Sequence, residues 1–376
     1  MKPEWSCLKD ATILDVSQLL PGPHTATLLE QLGADVIKIE NPETGDTSRL
    51  LGPSVFAQFN RGKRSVALDL KSPEGKAAFL SLVQRADAVI EGFRPGVMQR
   101  LGLDYDALAA VNPAIVMCSI SGFGQDGPYA KEAGHDLNYL ALSGYWAVPV
   151  QVHDKVSRPR ARISDFAASA YASLAMSVAI MSARQSGRGQ HLDVSILDAI
   201  TAWTAHGAWG ARGLSQDELI NAPTVMPEND LFATRDGRHL AMGILENKFW
   251  VNLCEVLGDE YPALRDPRMA TRPQRLKIKA EVNALLVEVF ASKTLDEWSA
   301  RFAGADLPFS PVLHADEFFD DAQLNARQMI QHHPVEGQIS VRFPVKFSAG
   351  LPDMPSKVPS LGEHTEEILG ESGSTT

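Results

Sequence analysis

Strand-like and helix-like stretches alternate three times in the first 120 residues, and no other feature constrains the fold as much. Residues 11–16 (ATILDV) form the short apolar run of a buried strand. PGPHTATLLEQLG then reads as a helix closed by Gly33, and DVIKIE as a second strand. SVALDL opens the next unit. Ser72 followed by Pro73 has the chemistry of an N-cap and first helical position, which predicts a helix to about Arg85. ADAVIE is the following strand, Asp104 caps the short helix YDALAAV, and AIVMCSIS is a strand again. Such alternation predicts an α/β fold: a mainly parallel sheet with helices on its faces, and ligands at the carboxyl ends of its strands.

From about Pro227 the pattern changes. LFATRDGRHLAMGI is a hairpin around an Asp-Gly turn, followed by the helical stretches NKFWVNLCEVLG, LKIKAEVNALLVEVFAS and LDEWSARFAGA. The predicted organisation is a large lobe over residues 1–200, a smaller α+β lobe over 225–325, and a Pro-rich segment, 326–376, that returns to the large lobe. A net charge of −11 argues against nonspecific nucleic-acid binding and against an anionic membrane surface. Three widely spaced cysteines without a CxxC pair favour a reducing compartment and give no structural zinc site. With no signal-like start and no run of about eighteen apolar residues, the expectation is a cytoplasmic protein without a membrane span.

Two segments carry candidate chemistry. GHDLNYLALSG, at 134–144, holds His135, and ISDFAASAYASLAM, at 163–176, holds Asp165. A histidine and a carboxylate at two loop–helix junctions suit proton removal next to a carbonyl, with no metal and no redox cofactor. Taken singly, each has a plainer role. Asp165 reads as the N-cap of a long buried helix, and Asp136 as the cap that places His135 at a second helix mouth. The free N–H groups of such mouths are also donors for an enolate oxygen. Glu246 opens a helix in the second lobe, where a solvated acid is the ordinary reading.

Gly122, Gly124 and Gly127 match G-x-G-x-x-G after a predicted strand, yet Pro128 follows and YWAVPV occupies the place of the required acid. These glycines are expected to shape the loop that delivers His135. Lys38, Arg61, Lys63, Arg64 and Arg94 sit at predicted strand ends and loops, where together they would suit phosphate groups. No G-x-S-x-G, Walker A or H-E-x-x-H motif is present.

The series LPGPHTATLLEQLGADVIKIENPETGD, NRGKRSVALDLK, ADAVIEGFRPGVMQRLGLDYDAL, NPAIVMCSISGFGQDGPYA, GRGQHLDVSILDA and SLGEHTEEILGE resembles the class III CoA-transferase (CaiB/BaiF-type) family over nearly the full chain. Within it the chain looks most like the alpha-methylacyl-CoA racemases. The resemblance implies a Rossmann-like large lobe and an interlocked homodimer. His135 and Asp165 would be the catalytic pair, and Glu246 a glutamate hydrogen-bonded to the histidine. It also implies coenzyme A contacts at Lys38, Arg61, Lys63, Arg64, Arg94, Gly134, Asp136, Asn138 and Tyr139, with CoA entering as part of the substrate and no separate cofactor. Racemases usually place glycines after the catalytic Asp-Phe pair, whereas Ala167, Ala168 and Ser169 stand here, so a narrowed pocket, a different acyl group or drift away from racemisation is expected.

The leading reading is 1,1-proton transfer on a 2-methyl-branched acyl-CoA through an enolate. The alternative is CoA transfer between carboxylic acids through an Asp165 acyl anhydride. A CoA-binding protein without catalysis is a third class.

Overall fold

The computed structural model describes residues 6, 8–152, 156–333, 338–352 and 354–370. The chain divides into two units. The first comprises 1–143, 159–205 and 322–376, and the second 144–158 and 206–321. Residues 144–158 thus group with the second unit although they precede position 200.

The first unit follows the alternation of its sequence. Its elements are β1 (Thr12–Asp15), α1 (Pro21–Gln31), β2 (Asp35–Glu40), α2 (Pro53–Asn60), β3 (Arg64–Ala67), α3 (Pro73–Val83), β4 (Ala88–Glu91), α4 (Val97–Leu101), α5 (Tyr105–Val111), β5 (Val116–Ser121), α6 (Asp136–Leu142), α7 (Ile163–Ser186), β6 (His191–Ser195) and α8 (Ile196–Gly210). Helix ends obey local chemistry. Ser72 Oγ accepts from the Gly75 N–H at 3.0 Å and Asp104 Oδ1 from the Ala107 N–H at 3.2 Å, each satisfying an otherwise orphaned first-turn donor.

The strands form one parallel sheet in the order β3-β2-β1-β4-β5-β6. Its inner strands read as continuous apolar runs because helices cover both faces. One face buries Leu14, Ile37, Val89 and Met117 with Phe79, Leu82, Leu108 and Ile368 of the terminal helix Thr365–Gly370. The other face is covered by α1 and α7, the most closely packed helix pair in this unit. The sixth strand escaped the sequence reading because HLDVS is half polar and lies on the sheet edge, with His191 and Asp193 exposed.

Helix α7 corrects one expectation. By length and hydropathy alone it is apolar enough to cross a membrane, although half of that stretch is buried inside the protein. Ala168, Ala172, Met176, Ala179 and Ile180 are buried, and the helix packs on α1, α6, β5 and β6. A core helix needs that composition without any bilayer. The small residues after Asp165 belong to the same packing. Ala167, Ala168 and Ser169 are fully buried, and Ser169 Oγ donates to the Pro21 carbonyl at 2.9 Å.

In the second unit, α9 (Gln216–Ile220) precedes the antiparallel hairpin of β7 (Asn229–Ala233) and β8 (His239–Gly243). After it come α10 (Asn247–Leu257), α11 (Arg272–Lys277), α12 (Lys279–Ala291), α13 (Leu295–Phe302) and β9 (Phe309–Pro311), the last pairing with β8. One predicted helix is split here, since Ile278 leaves helical geometry between α11 and α12. Trp250, Trp298, Phe232 and Phe290 fill this unit's own core. The returning C-terminal segment adds a two-stranded ribbon to the first unit, β10 (Ile330–His333) and β11 (Gln338–Val341).

Because Ala168 is fully buried on α7, Ala168→Leu forces three extra carbons into a filled interior. We expect a loss of about 1–3 kcal/mol in chemical denaturation, while a substitution at exposed Ser182 leaves the midpoint nearly unchanged.

Candidate active site

His135 and Asp165 are brought together by the two residues beside them. Asp136, the first residue of α6, buries its carboxylate and accepts from the Ser164 N–H at 2.9 Å and from Ser164 Oγ at 2.5 Å. Ser164 is the second residue of α7 and Asp165 the third. His135 and Asp165 are therefore each one residue away from a single buried contact.

This geometry revises the expected capping. Asp165 is not the N-cap of α7: Arg162 holds that position without a side-chain cap, and Asp136 supplies the acceptor from the neighbouring helix. Nor does Asp136 cap its own helix. That service falls to Asn138, whose Oδ1 accepts from the His135 N–H at 3.0 Å. The physical reason is position: an N-cap side chain accepts from N–H groups two or three residues further on, and from inside the first turn the Asp136 carboxylate meets Ser164 of the neighbouring helix instead. The Ser164 N–H, one of the donors offered for an enolate oxygen, is thereby occupied.

Electrostatics separates the two acids. Burial pushes the Asp165 carboxyl up to about 7, the Asp136 charge adds to the rise, and the Arg162 guanidinium offsets only part of it. Tyr139 lies close enough that burial and the Asp165 charge push its hydroxyl up to about 12. On the α1 side, the His24 ring packs edge-on to Phe166 at 5.0 Å, and burial pulls its imidazole down to about 4. His135 itself is exposed.

The glycines act through space and backbone. A Cβ at Gly122 or Gly134 would fall 2.4 or 2.7 Å from Tyr139 atoms, so both glycines leave room for that buried ring. Gly124 and Gly127 have φ of +86° and +83°, which L side chains rarely adopt. The loop is pinned by Asp193 Oδ2, which accepts from the Gln125 N–H at 2.9 Å. No helix opens until Asp136, in keeping with a loop that shapes the approach to His135.

The basic residues offered for phosphate contact have mostly internal partners. Lys38 is fully buried between Asp46 at 2.9 Å and Asp15 at 3.4 Å, and Lys63 is buried against Asp15 at 2.9 Å. Burial would raise Asp15, but the two ammonium groups outweigh it and hold the carboxyl at about 2. Neither lysine faces solvent, so direct phosphate contact would require this cluster to open. Arg61 is buried and donates to the Ser356 carbonyl, and Arg64 pairs with Asp35 and Glu367. Arg94 is exposed, and no ion pair among the described residues involves it. Gly134 is half-buried, Asn138 exposed and Tyr139 buried. Glu246 is exposed at the N-cap of α10 in the second unit.

Sequence reasoning missed the Asp136–Ser164 contact and the Asp15–Lys38–Asp46–Lys63 cluster. It also missed Glu91, which ends β4 and which burial pushes up to about 6 while its Oε2 accepts from the Phe93 N–H at 2.7 Å. No group of His, Cys, Asp and Glu among the described residues has the arrangement of a metal site.

Residues 8–365 match the family model described as CoA-transferase family III. The chain is 35% identical to an acyl-CoA transferase of Fusarium pseudograminearum, over 96% of this chain and 84% of that one. It is 33% identical to human alpha-methylacyl-CoA racemase, covering 97% and 93% respectively. The crystal structure of a CaiB/BaiF family protein from Brucella suis superposes with a TM-score of 0.85 at 30% identity, covering 98% of this chain and 99% of that one.

The raised Asp165 carboxyl gives a stability prediction. Its folded value lies above that of the unfolded chain, so the folded state binds the proton more tightly and stability falls as pH rises from about 4 through about 7. Asp165→Asn, neutral throughout, is expected to raise stability at pH 8 by roughly 1–3 kcal/mol and hardly at all at pH 4. Equal gains at both pH values in denaturant melts would refute the assignment.

Proposed function

Since the chain belongs to CoA-transferase family III, a family of enzymes that act on CoA thioesters, we propose that it racemises 2-methyl-branched acyl-CoA thioesters by 1,1-proton transfer. The observation that carries this reading is the Asp165 carboxyl, lifted to about 7 one residue from a contact that leads directly to His135. A general acid works best with a proton affinity near the working pH. A carboxylate nucleophile, by contrast, gains nothing from being protonated at neutrality.

In this reading His135 removes the α-proton from one face of the substrate, and the thioester carbonyl takes up the electrons as an enolate. Protonated Asp165 then delivers its proton to the opposite face of the planar carbon. For the other substrate hand the roles exchange. Arg94 and the 134–139 segment are proposed to meet the CoA moiety, with no further cofactor. The small acidic chain, without CxxC cysteines, suits a cytoplasmic setting.

CoA transfer is the second reading, favoured by the similarity to an acyl-CoA transferase. It keeps Asp165, as nucleophile, and leaves His135 without a chemical task. Incubation with a 2-methylacyl-CoA in deuterated water separates the two. We expect deuterium at the α-carbon, loss of exchange in His135→Ala, and, in the direction that uses protonated Asp165, a rate that falls as pH rises through about 7. CoA movement onto a free acid, with borohydride reduction at Asp165 and no exchange, would sink the racemase reading.

A homodimer is proposed on the outer side of α7, where Tyr171, Leu174, Val178 and Met181 are exposed at helical spacing. An apolar stripe of this length is covered in most proteins. Leu174→Glu with Val178→Glu is expected to convert a dimer to monomers in light scattering, and a wild type already monomeric would overturn the proposal.

A further inference from the structure

We propose that Asp136 is a positioning residue for Asp165: its buried carboxylate fixes the first turn of α7 on the helix of His135 and sets the charge that faces the Asp165 carboxyl. This inference deepens the reading of Asp165 as a proton-transferring group and rests on it.

The geometry carries the argument. Asp136 Oδ1 accepts from the Ser164 backbone N–H at 2.9 Å and from its hydroxyl at 2.5 Å, and the hydroxyl also lies 3.2 Å from the Asp136 carbonyl. Asp136 is 6% exposed and Asp165 8% exposed. The Asp165 carboxyl, in contrast, receives no hydrogen bond from the described residues, and its main-chain carbonyl is taken by Ser169 Oγ at 2.9 Å. Two acids in one dry site do not both ionise without cost, and hydrogen-bond donors decide which one carries the charge. All the donors here are on Asp136. Burial and the Asp136 charge raise the Asp165 carboxyl, and no hydrogen bond to it from the described residues offsets that rise.

The surrounding groups leave this pair in control. From α6, Asp136 and Tyr139 face Asp165; just before α7, Arg162 partly offsets the Asp136 charge. From α1, His24 packs on Phe166 and is held neutral by burial. Cys118 of β5 and Asp193 of β6 couple to Glu91 instead, and His191 of β6 pairs with Ser119.

The same contact also fixes distance. Asp136 ends the loop that begins at Gly122, and Ser164 lies in the first turn of a helix 24 residues long. The end of the loop is thereby tied to the start of a long helix, and His135 and Asp165 each stand one residue from that tie.

The test reads Asp165 directly and does not depend on turnover. Carboxyl-carbon NMR of the full-length protein labelled at aspartate, with the Asp165 signal identified by its loss in Asp165→Asn, gives its titration midpoint. Asp136→Asn keeps an oxygen that accepts the Ser164 N–H and removes the charge. We expect the Asp165 midpoint to fall by about one pH unit or more, with the thermal midpoint little changed. An unmoved Asp165 midpoint in folded Asp136→Asn overturns the proposal. Should that variant fail to fold, Asp136→Ser, which retains an N-cap oxygen, is expected to show the same fall, and constancy there overturns it equally. Failure of the racemase reading would show instead as absent α-exchange in wild type with the NMR shift intact.

Discussion

Asp15 stands at the carboxyl end of the central strand with its carboxylate between the ammonium groups of Lys38 and Lys63, and the turn that follows is built on it. Asp15 Oδ1 accepts from the Ser17 N–H at 3.0 Å and also from the Ser17 hydroxyl. Lys38 donates to the Ser17 carbonyl, Lys63 to the Pro23 carbonyl at 2.9 Å, and Asp46 accepts from the Leu19 N–H at 3.2 Å. Held at so many points, the chain passes through Leu19 with a φ of +68°, a conformation that non-glycine residues adopt only under constraint. Buried charges are tolerable only when paired and hydrogen-bonded, and here the pairing directs α1 onto the sheet. Helix α1 in turn carries the Pro21 carbonyl that receives Ser169, four residues beyond Asp165.

The sheet was legible because burial on both sides leaves apolar runs, and the helices because Ser72 and Asp104 announce their starts. The edge strand was not, since half of its side chains face water. The charge cluster could not be read at all. Asp15 meets Lys38 only once the parallel register pairs those two positions, and Asp46 and Lys63 join from loops whose course no local rule fixes. The caps expected at Asp165 and Asp136 were misread. Asp165 was assigned the acceptor that Asp136 provides, because capping across two helices leaves no spacing in the sequence.

The residues following Asp165 show how packing can look like chemistry. Against a family pattern of glycines, Ala167, Ala168 and Ser169 suggested a narrowed pocket. All three are enclosed in the first unit, and the Ser169 hydroxyl serves helix contact. Likewise Gly122, read as a loop former, and Gly134, read as a coenzyme A contact, leave room for the ring of Tyr139.

The clamp between Asp136 and Ser164 leaves residue 135 unusually free. Its N–H is met by Asn138, its carbonyl accepts from the Asn138 N–H at 2.8 Å, and its side chain is exposed at the N-cap of α6. Exchange of that one side chain would leave untouched the buried Asp136–Ser164 contact at the start of α7. A fold partitioned in this way lets one codon vary at a helix mouth while the buried join between two helices stays as it was.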